Sequence, residues 1–178
     1  VEQYLLFLEQ LGIARPKNLS SGLEGIALET ISSPWKGQLA GDYIALILGS
    51  SWDSKDWPEE GYRELIERLV GYTVVLVSDK TKVELASRLE KTQGGARVVN
   101  LAGETTLREL VAIVHDARCC VGPDSGPAHI AGAVGTPHIT LFGPTPSVRN
   151  APRGSEDLSI SMDVGCSPCK RRRCPGLG

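Results

Sequence analysis

From residue 42 onward the chain alternates short, continuous apolar runs with stretches in which apolar residues recur every three or four positions. The runs at 43–48, 73–77, 97–100, 119–122 and 138–142 are too short for helices and predict five strands. The stretches between them predict helices over 58–69, 81–91, from 106 onward, and over 126–134. Tyr62, Leu65, Ile66 and Leu69 share one face of the first of these; Val83, Ala86 and Leu89 share one face of the second; Leu107, Leu110, Val111 and Val114 form the stripe of the third. Pro58 suits a first helical position, where Glu59 and Glu60 complement the helix dipole, and Thr106 with Glu109 reads as a capping box. Strands that are apolar throughout and flanked by helices are covered on both faces, so the expected fold is α/β, an open, doubly wound parallel sheet.

The first 40 residues differ. Leu5, Leu8 and Leu11 predict an amphipathic helix over 2–11, closed by Gly12. A link with Pro16, Asn18, Ser20, Ser21 and Gly22 follows, then a short apolar run at 25–28 and a second link, Ser32-Ser33-Pro34-Trp35-Lys36-Gly37. The pattern divides the chain into a connector (1–41), an α/β domain (42–150) and a tail (151–178). The lack of an initiator Met predicts that Val1 is not the natural start and that a further domain precedes it.

Composition narrows the function. With 178 residues the chain can bury a core without disulfides or metal. Its 19 Lys and Arg against 21 Asp and Glu give a net charge of -2, which excludes the broad basic surface of a duplex nucleic-acid binder; any anion is bound locally. No apolar run has the roughly 18 to 20 residues of a membrane span, and the acidic N-terminal stretch is no signal peptide. Five cysteines are an odd number, with Cys119 and Cys120 inside a strand, which fits a reducing, cytoplasmic compartment.

In an open α/β sheet, ligands bind beyond the C-terminal ends of the strands. Two loops there are unusual. Gly49-Ser50-Ser51-Trp52-Asp53-Ser54-Lys55-Asp56-Trp57-Pro58 offers small residues, hydroxyls and one lysine just before a helix, a phosphate cradle without P-loop or GxGxxG spacing. Gly122-Pro123-Asp124-Ser125-Gly126-Pro127-Ala128-His129 places cap-type residues at a helix start, with the amides around Ser125, Gly126 and Ala128 facing an anion and His129 within reach of it. Taken singly, Asp124 and Ser125 could be helix caps, His129 a structural histidine and Lys55 a solvated charge. Their convergence on one edge of the sheet favours a binding site.

These residues carry a resemblance. Asp124-Ser125-Gly126-Pro127-Ala128-His129-Ile130-Ala131, followed by Gly135-Thr136-Pro137 and Leu141-Phe142-Gly143-Pro144-Thr145, resembles the signature of the bacterial heptosyltransferases, glycosyltransferase family 9. Ser54-Lys55-Asp56-Trp57-Pro58 resembles that family's lysine-tryptophan-proline element, and Asn100-Leu101-Ala102-Gly103 its leucine-alanine-glycine segment, so the likeness runs in order over 42–175. It implies a Rossmann-like C-terminal domain of a GT-B glycosyltransferase, holding ADP-heptose as the donor for an inverting transfer to the lipopolysaccharide core, with no metal or cofactor required. Ser50, Ser51 and Lys55 would contact sugar or diphosphate, Asp124, Ser125, Gly126 and His129 the diphosphate, and Asp79 or Glu84 the ribose. No catalytic residue is assigned to this chain, because the resemblance puts the general base in an N-terminal acceptor domain. One departure is Ile47-Leu48, where the family often has His-Pro.

The tail Cys166-x2-Cys169-x4-Cys174 also resembles the family's cysteine-rich ending. It reads as reduced thiols, with zinc and a fourth ligand beyond Gly178 as the competing reading. The run Lys170-Arg171-Arg172-Arg173 reads as solvated and also suits peripheral contact with the anionic inner face of the bacterial inner membrane. Two other classes remain as alternatives, another GT-B-type nucleotide-sugar enzyme such as an epimerase, and a non-catalytic nucleotide-binding module.

Overall fold

The two periods of the sequence become strands and helices where they occur. The computed structural model describes residues 2–14, 22–23, 34–35, 37–39 and 41–175. Its strands are β1 (Tyr43–Ile47), β2 (Thr73–Val77), β3 (Arg97–Asn100), β4 (Cys119–Pro123), β5 (His138–Phe142) and β6 (Ser159–Ser161), all parallel and in the order β3-β2-β1-β4-β5-β6. Helix α1 (Glu2–Gln10) precedes the sheet. The crossovers carry α2 (Glu59–Arg68), α3 (Val83–Leu89), α4 (Leu107–Asp116), α5 (Gly126–Val134) and the short α6 (Ser147–Asn150).

Alternation along the strands feeds two cores, because successive side chains point to opposite faces of a sheet. Tyr43, Ala45 and Ile47 pack with Val75, Val77, Ile113 of α4 and Ala131 of α5. Ile44 and Leu46 pack with Val74, Leu76, Tyr62 and Ile66 of α2 and Leu89 of α3. Each face is pinned by a buried tyrosine: Tyr43 Oη donates to the Ile113 carbonyl (2.6 Å) and Tyr62 Oη to the Ile47 carbonyl (2.9 Å). Burial pushes both phenols well above their ordinary value, which keeps them as protonated donors.

The strand order reverses between β1 and β4, which are hydrogen-bonded neighbours with Leu46 opposite Val121. Gly122 permits their close approach at this point, since a Cβ there would lie 2.6 Å from the Ile47 carbonyl oxygen. The loops that leave β1 and β4 therefore diverge from a common crevice.

The open, doubly wound parallel sheet is present, with corrections. Among the described residues the strands number six rather than five. β6 comes from the segment assigned to the tail and pairs with β5, Ile160 opposite Leu141. The apolar pattern does not mark it, because Ser-Ile-Ser on a sheet edge has one apolar residue and no run. The expected helix at 81 begins at Val83, after a 3-10 turn at Lys80–Lys82, and Pro58 caps α2 from one residue outside it. Val83 and Leu107, assigned to buried stripes, are exposed; each is the first residue of its helix. On α1 Leu5 is buried and Leu8 half-buried, whereas Leu11 is exposed. The link around 16–21, the run at 25–28 and residues 32–33 lie outside the described residues. Among the described residues no helix is long and apolar enough to cross a membrane.

Candidate functional site

The crevice opens into a cleft of about 920 Å³, walled by the C-terminal ends of β1, β2 and β4 and the start of α4. Of the expected site residues, Ser50, Ser51, Lys55, Asp79, Asp124, Ser125, Gly126 and His129 all line it. Glu84 does not: it is exposed in the first turn of α3.

The loop leaving β4 is organised by a buried carboxylate. Asp124 is 4% exposed, and its Oδ2 accepts hydrogen bonds from Thr145 Oγ1 (2.7 Å), Lys55 Nζ (2.9 Å) and Asn150 Nδ2 (2.9 Å). Lys55 Nζ also donates to the Asp124 carbonyl (3.2 Å). Burial alone would raise this carboxyl, but the bonds from Asn150, Lys55 and Thr145 outweigh it and hold the group below its usual range. Asp124 is thus an ionised anchor that ties four segments together.

Next to it, α5 begins with its N-terminus facing the cleft. Ser125 is the N-cap residue, yet its side chain caps nothing, and its buried Oγ has no hydrogen-bond partner among the described residues. The first-turn amides of a helix have no intrahelical acceptor, so Ser125 Oγ and the Ser125 and Gly126 amides form one donor group. The Ala128 amide is a correction: it donates to the Ser125 carbonyl (3.2 Å) and is not free for a ligand. His129 stands more than half exposed at the cleft edge, with Nε2 3.8 Å from Asp124 Oδ1.

The loop leaving β1 spends its polar groups on itself. Ser50 Oγ donates to the Trp52 carbonyl (3.0 Å) and accepts from the Trp52 amide (3.1 Å), while the Ser50 amide donates to Asp56 Oδ1 (2.8 Å). Asp56 also pairs with Lys82. Trp57 packs edge-on against Tyr62, ring centroids 4.8 Å apart, over Gly61, where a Cβ would lie 2.4 Å from the indole. Ser51 is the loop's exposed hydroxyl on the cleft wall.

The tail straps this loop from outside. Ser54 donates to the Arg171 carbonyl through Oγ (2.6 Å) and to the Arg172 carbonyl through its amide (3.3 Å). Lys55 Nζ lies 4.6 Å and Arg172 Cζ 5.5 Å from the Trp52 ring centroid. Further along, the Lys170 amide donates to the Pro144 carbonyl (2.8 Å) and Ser167 Oγ to the Gly143 carbonyl (2.5 Å). The basic run is therefore a docked segment with exposed side chains, not a free one. Cys166 is exposed, Cys169 and Cys174 half-buried, all three free thiols; among the described residues no three His, Cys, Asp or Glu side chains are grouped to hold a metal. In β4, burial raises both Cys119 and Cys120, as befits thiols used for packing.

On the third wall, Asp79 Oδ1 accepts from the Thr81 hydroxyl (2.5 Å) and amide (2.8 Å), bonds that lower its carboxyl below the ordinary value. Lys82 packs over Gly49, whose φ of +75° and lack of side chain make room for the lysine stem. Lys82, Thr145, Arg149 and Asn150 were missed by sequence reasoning. Lys82 and Arg149 follow strand ends at the binding edge of the sheet, which was a usable signal. Thr145 ends the Leu141 to Thr145 motif but carried no expected role, and nothing local marks Asn150; both matter through a partner 21 and 26 residues away.

A parallel sheet in this order, with a helix N-terminus opening on a polar cleft at its switch point, defines a Rossmann-like domain suited to a phosphorylated ligand. The sequence model of glycosyltransferase family 9 (heptosyltransferase) matches residues 6–177, and the chain belongs to that family. Lipopolysaccharide heptosyltransferase 1 of Pseudomonas aeruginosa is 30% identical over 172 residues, 95% of this chain and 46% of that protein. The structure of E. coli heptosyltransferase WaaC with ADP superimposes with a TM-score of 0.69 at 27% identity, over 88% of this chain and 47% of that one. The same enzyme with ADP-2-deoxy-2-fluoro heptose gives 0.62 at 26% identity, over 86% and 49%. The chain spans about half the length of these relatives.

Proposed function

We propose that this chain is the donor-binding part of an inverting glycosyltransferase that moves heptose from ADP-heptose to the lipopolysaccharide inner core. The observation that carries the reading is the pairing of an open α5 N-terminus with a locked Asp124 at the β1/β4 crevice. Family membership, and relatives whose structures contain ADP and a fluorinated ADP-heptose, support the choice of donor.

In the reaction, an acceptor hydroxyl attacks the anomeric carbon from the face opposite ADP, the bond to the diphosphate breaks, and ADP departs with the electron pair. The charge that grows on the departing phosphate is met by the Ser125 and Gly126 amides and the Ser125 hydroxyl, preorganised donors that need not reorient. His129 adds a hydrogen bond from the cleft edge. Asp79 stands where a carboxylate can accept from ribose hydroxyls, its Oδ1 fixed by Thr81. Lys55 acts through Asp124, holding the loop in place. The acceptor hydroxyl's proton goes to a general base outside this chain, in an acceptor-binding domain. The docked Lys170 to Arg173 run sits close to the donor cleft, so contact with an anionic membrane surface would bring the cytoplasmic donor and the membrane-held acceptor together.

Calorimetric titration of the chain with ADP, UDP and GDP tests this reading. ADP is expected to bind most tightly; equal affinity for all three would remove the basis for an ADP-heptose donor.

A further inference from the structure

Four basic side chains line the cleft, Lys55, Lys82, His129 and Arg149. Three have a carboxylate neighbour: Lys55 is paired with Asp124, Lys82 with Asp56, and His129 lies 3.8 Å from Asp124. Arg149 differs. Among the described residues its guanidinium has no hydrogen bond or ion pair, and its backbone amide bonds only to the Pro146 carbonyl (3.3 Å).

Its position is nevertheless defined. Arg149 belongs to α6, and the next residue, Asn150, donates to Asp124 Oδ2 (2.9 Å), while Thr145 just before the helix donates to the same atom (2.7 Å). The carboxylate that aligns the start of α5 thus also holds the short helix that carries Arg149 over the cleft. A guanidinium carries a fixed charge and a planar set of donors that match phosphate oxygens two at a time. The charges of Lys55 and Lys82 are already neutralised, so an incoming diphosphate meets its uncompensated cation at Arg149.

We propose that Arg149 is a donor-binding residue of this cleft, contacting the diphosphate as it binds and as negative charge gathers on the leaving ADP. The proposal rests on the donor-cleft reading above. The test is titration of the wild-type chain, Arg149→Gln and Arg149→Lys with ADP and with adenosine over a range of salt concentrations. Arg149→Gln is expected to weaken ADP by about tenfold or more, leave adenosine unchanged and flatten the salt dependence, with Arg149→Lys keeping part of the affinity. An Arg149→Gln chain that binds ADP as the wild type does at every salt concentration overturns the Arg149 assignment and leaves the donor-cleft reading standing. A wild-type chain that binds ADP no better than adenosine overturns both.

Discussion

The two loops at the binding edge of the sheet have similar compositions and opposite employment. The loop leaving β1 and the loop leaving β4 both carry small residues, hydroxyl and carboxylate side chains and a basic residue close to a helix start, Lys55 ahead of α2 and His129 in the first turn of α5, and both suggest an anion cradle. In the first, Ser50 is tied to Trp52, Asp56 to Ser50 and Lys82, Ser54 to the tail and Lys55 to Asp124. In the second, the Ser125 hydroxyl is buried without a partner among the described residues and α5 opens on the cleft. The first loop is a scaffold; the second is the contact that the proposed donor reading assigns to the ligand. Composition marks where a site is; the hydrogen bonds already formed decide which of its groups are left for a ligand.

The comparison is broken most forcefully at Asp124. Asp124→Ala leaves Lys55 without its carboxylate and removes the acceptor of Thr145 and Asn150, so urea unfolding should show a loss of about 3 kcal/mol, accompanied by loss of ADP binding. Loss of binding with full stability would mean that Asp124 is a ligand contact rather than an anchor.

A second effect of similar size comes from the floor beneath α5. His138 is fully buried in β5, its Nδ1 2.8 Å from Thr140 Oγ1 and its Nε2 without a partner among the described residues; burial, then the proximity of His129, depress it to about 4. The unfolded chain takes up that proton near pH 6.5 and the folded one near 4, so this group costs nothing above pH 6.5 and destabilises progressively as pH falls toward 4, by about 3 kcal/mol at the limit. Unfolding free energies at pH 7.5 and pH 5 for the wild type and His138→Asn should differ less in the variant; equal slopes would assign the acid sensitivity elsewhere.

Smaller effects separate the loops cleanly. His129→Ala should weaken ADP by about 1 to 3 kcal/mol in calorimetry with little change in stability, because the ring is more than half exposed. Ser50→Ala should do the reverse, costing about 1 kcal/mol of stability through the lost Trp52 bonds while leaving ADP affinity unchanged. A Ser50→Ala variant that binds ADP poorly would restore the first loop as a direct contact.

Much of this was legible from the sequence. Five strands and the helix starts at Thr106 and Ser125 followed from apolar period and cap chemistry, which are local properties. The edge strand at Ser159–Ser161 was not, because an exposed edge needs no apolar run. The site's address was readable in Lys55 and in the residues from Asp124 to His129. Its internal wiring was not, since the partners of Asp124 lie at residues 55, 145 and 150 and only the folded chain shows which cations of the cleft have an acid beside them. Folding of the tail onto Trp52 and Ser54 was likewise hidden, as the bonds run through backbone carbonyls that any residue supplies.

In the proposed reading the diphosphate of the donor is held at the start of α5. Nitrogen-15 amide spectra of the chain, recorded as ADP is added, read this residue by residue. The largest shifts are expected on the Ser125 and Gly126 amides, with the Ser50 and Ser54 amides, bonded to Asp56 and Arg172, moving little. Saturating shifts confined to residues 50–56, with Ser125 and Gly126 unmoved, would contradict it.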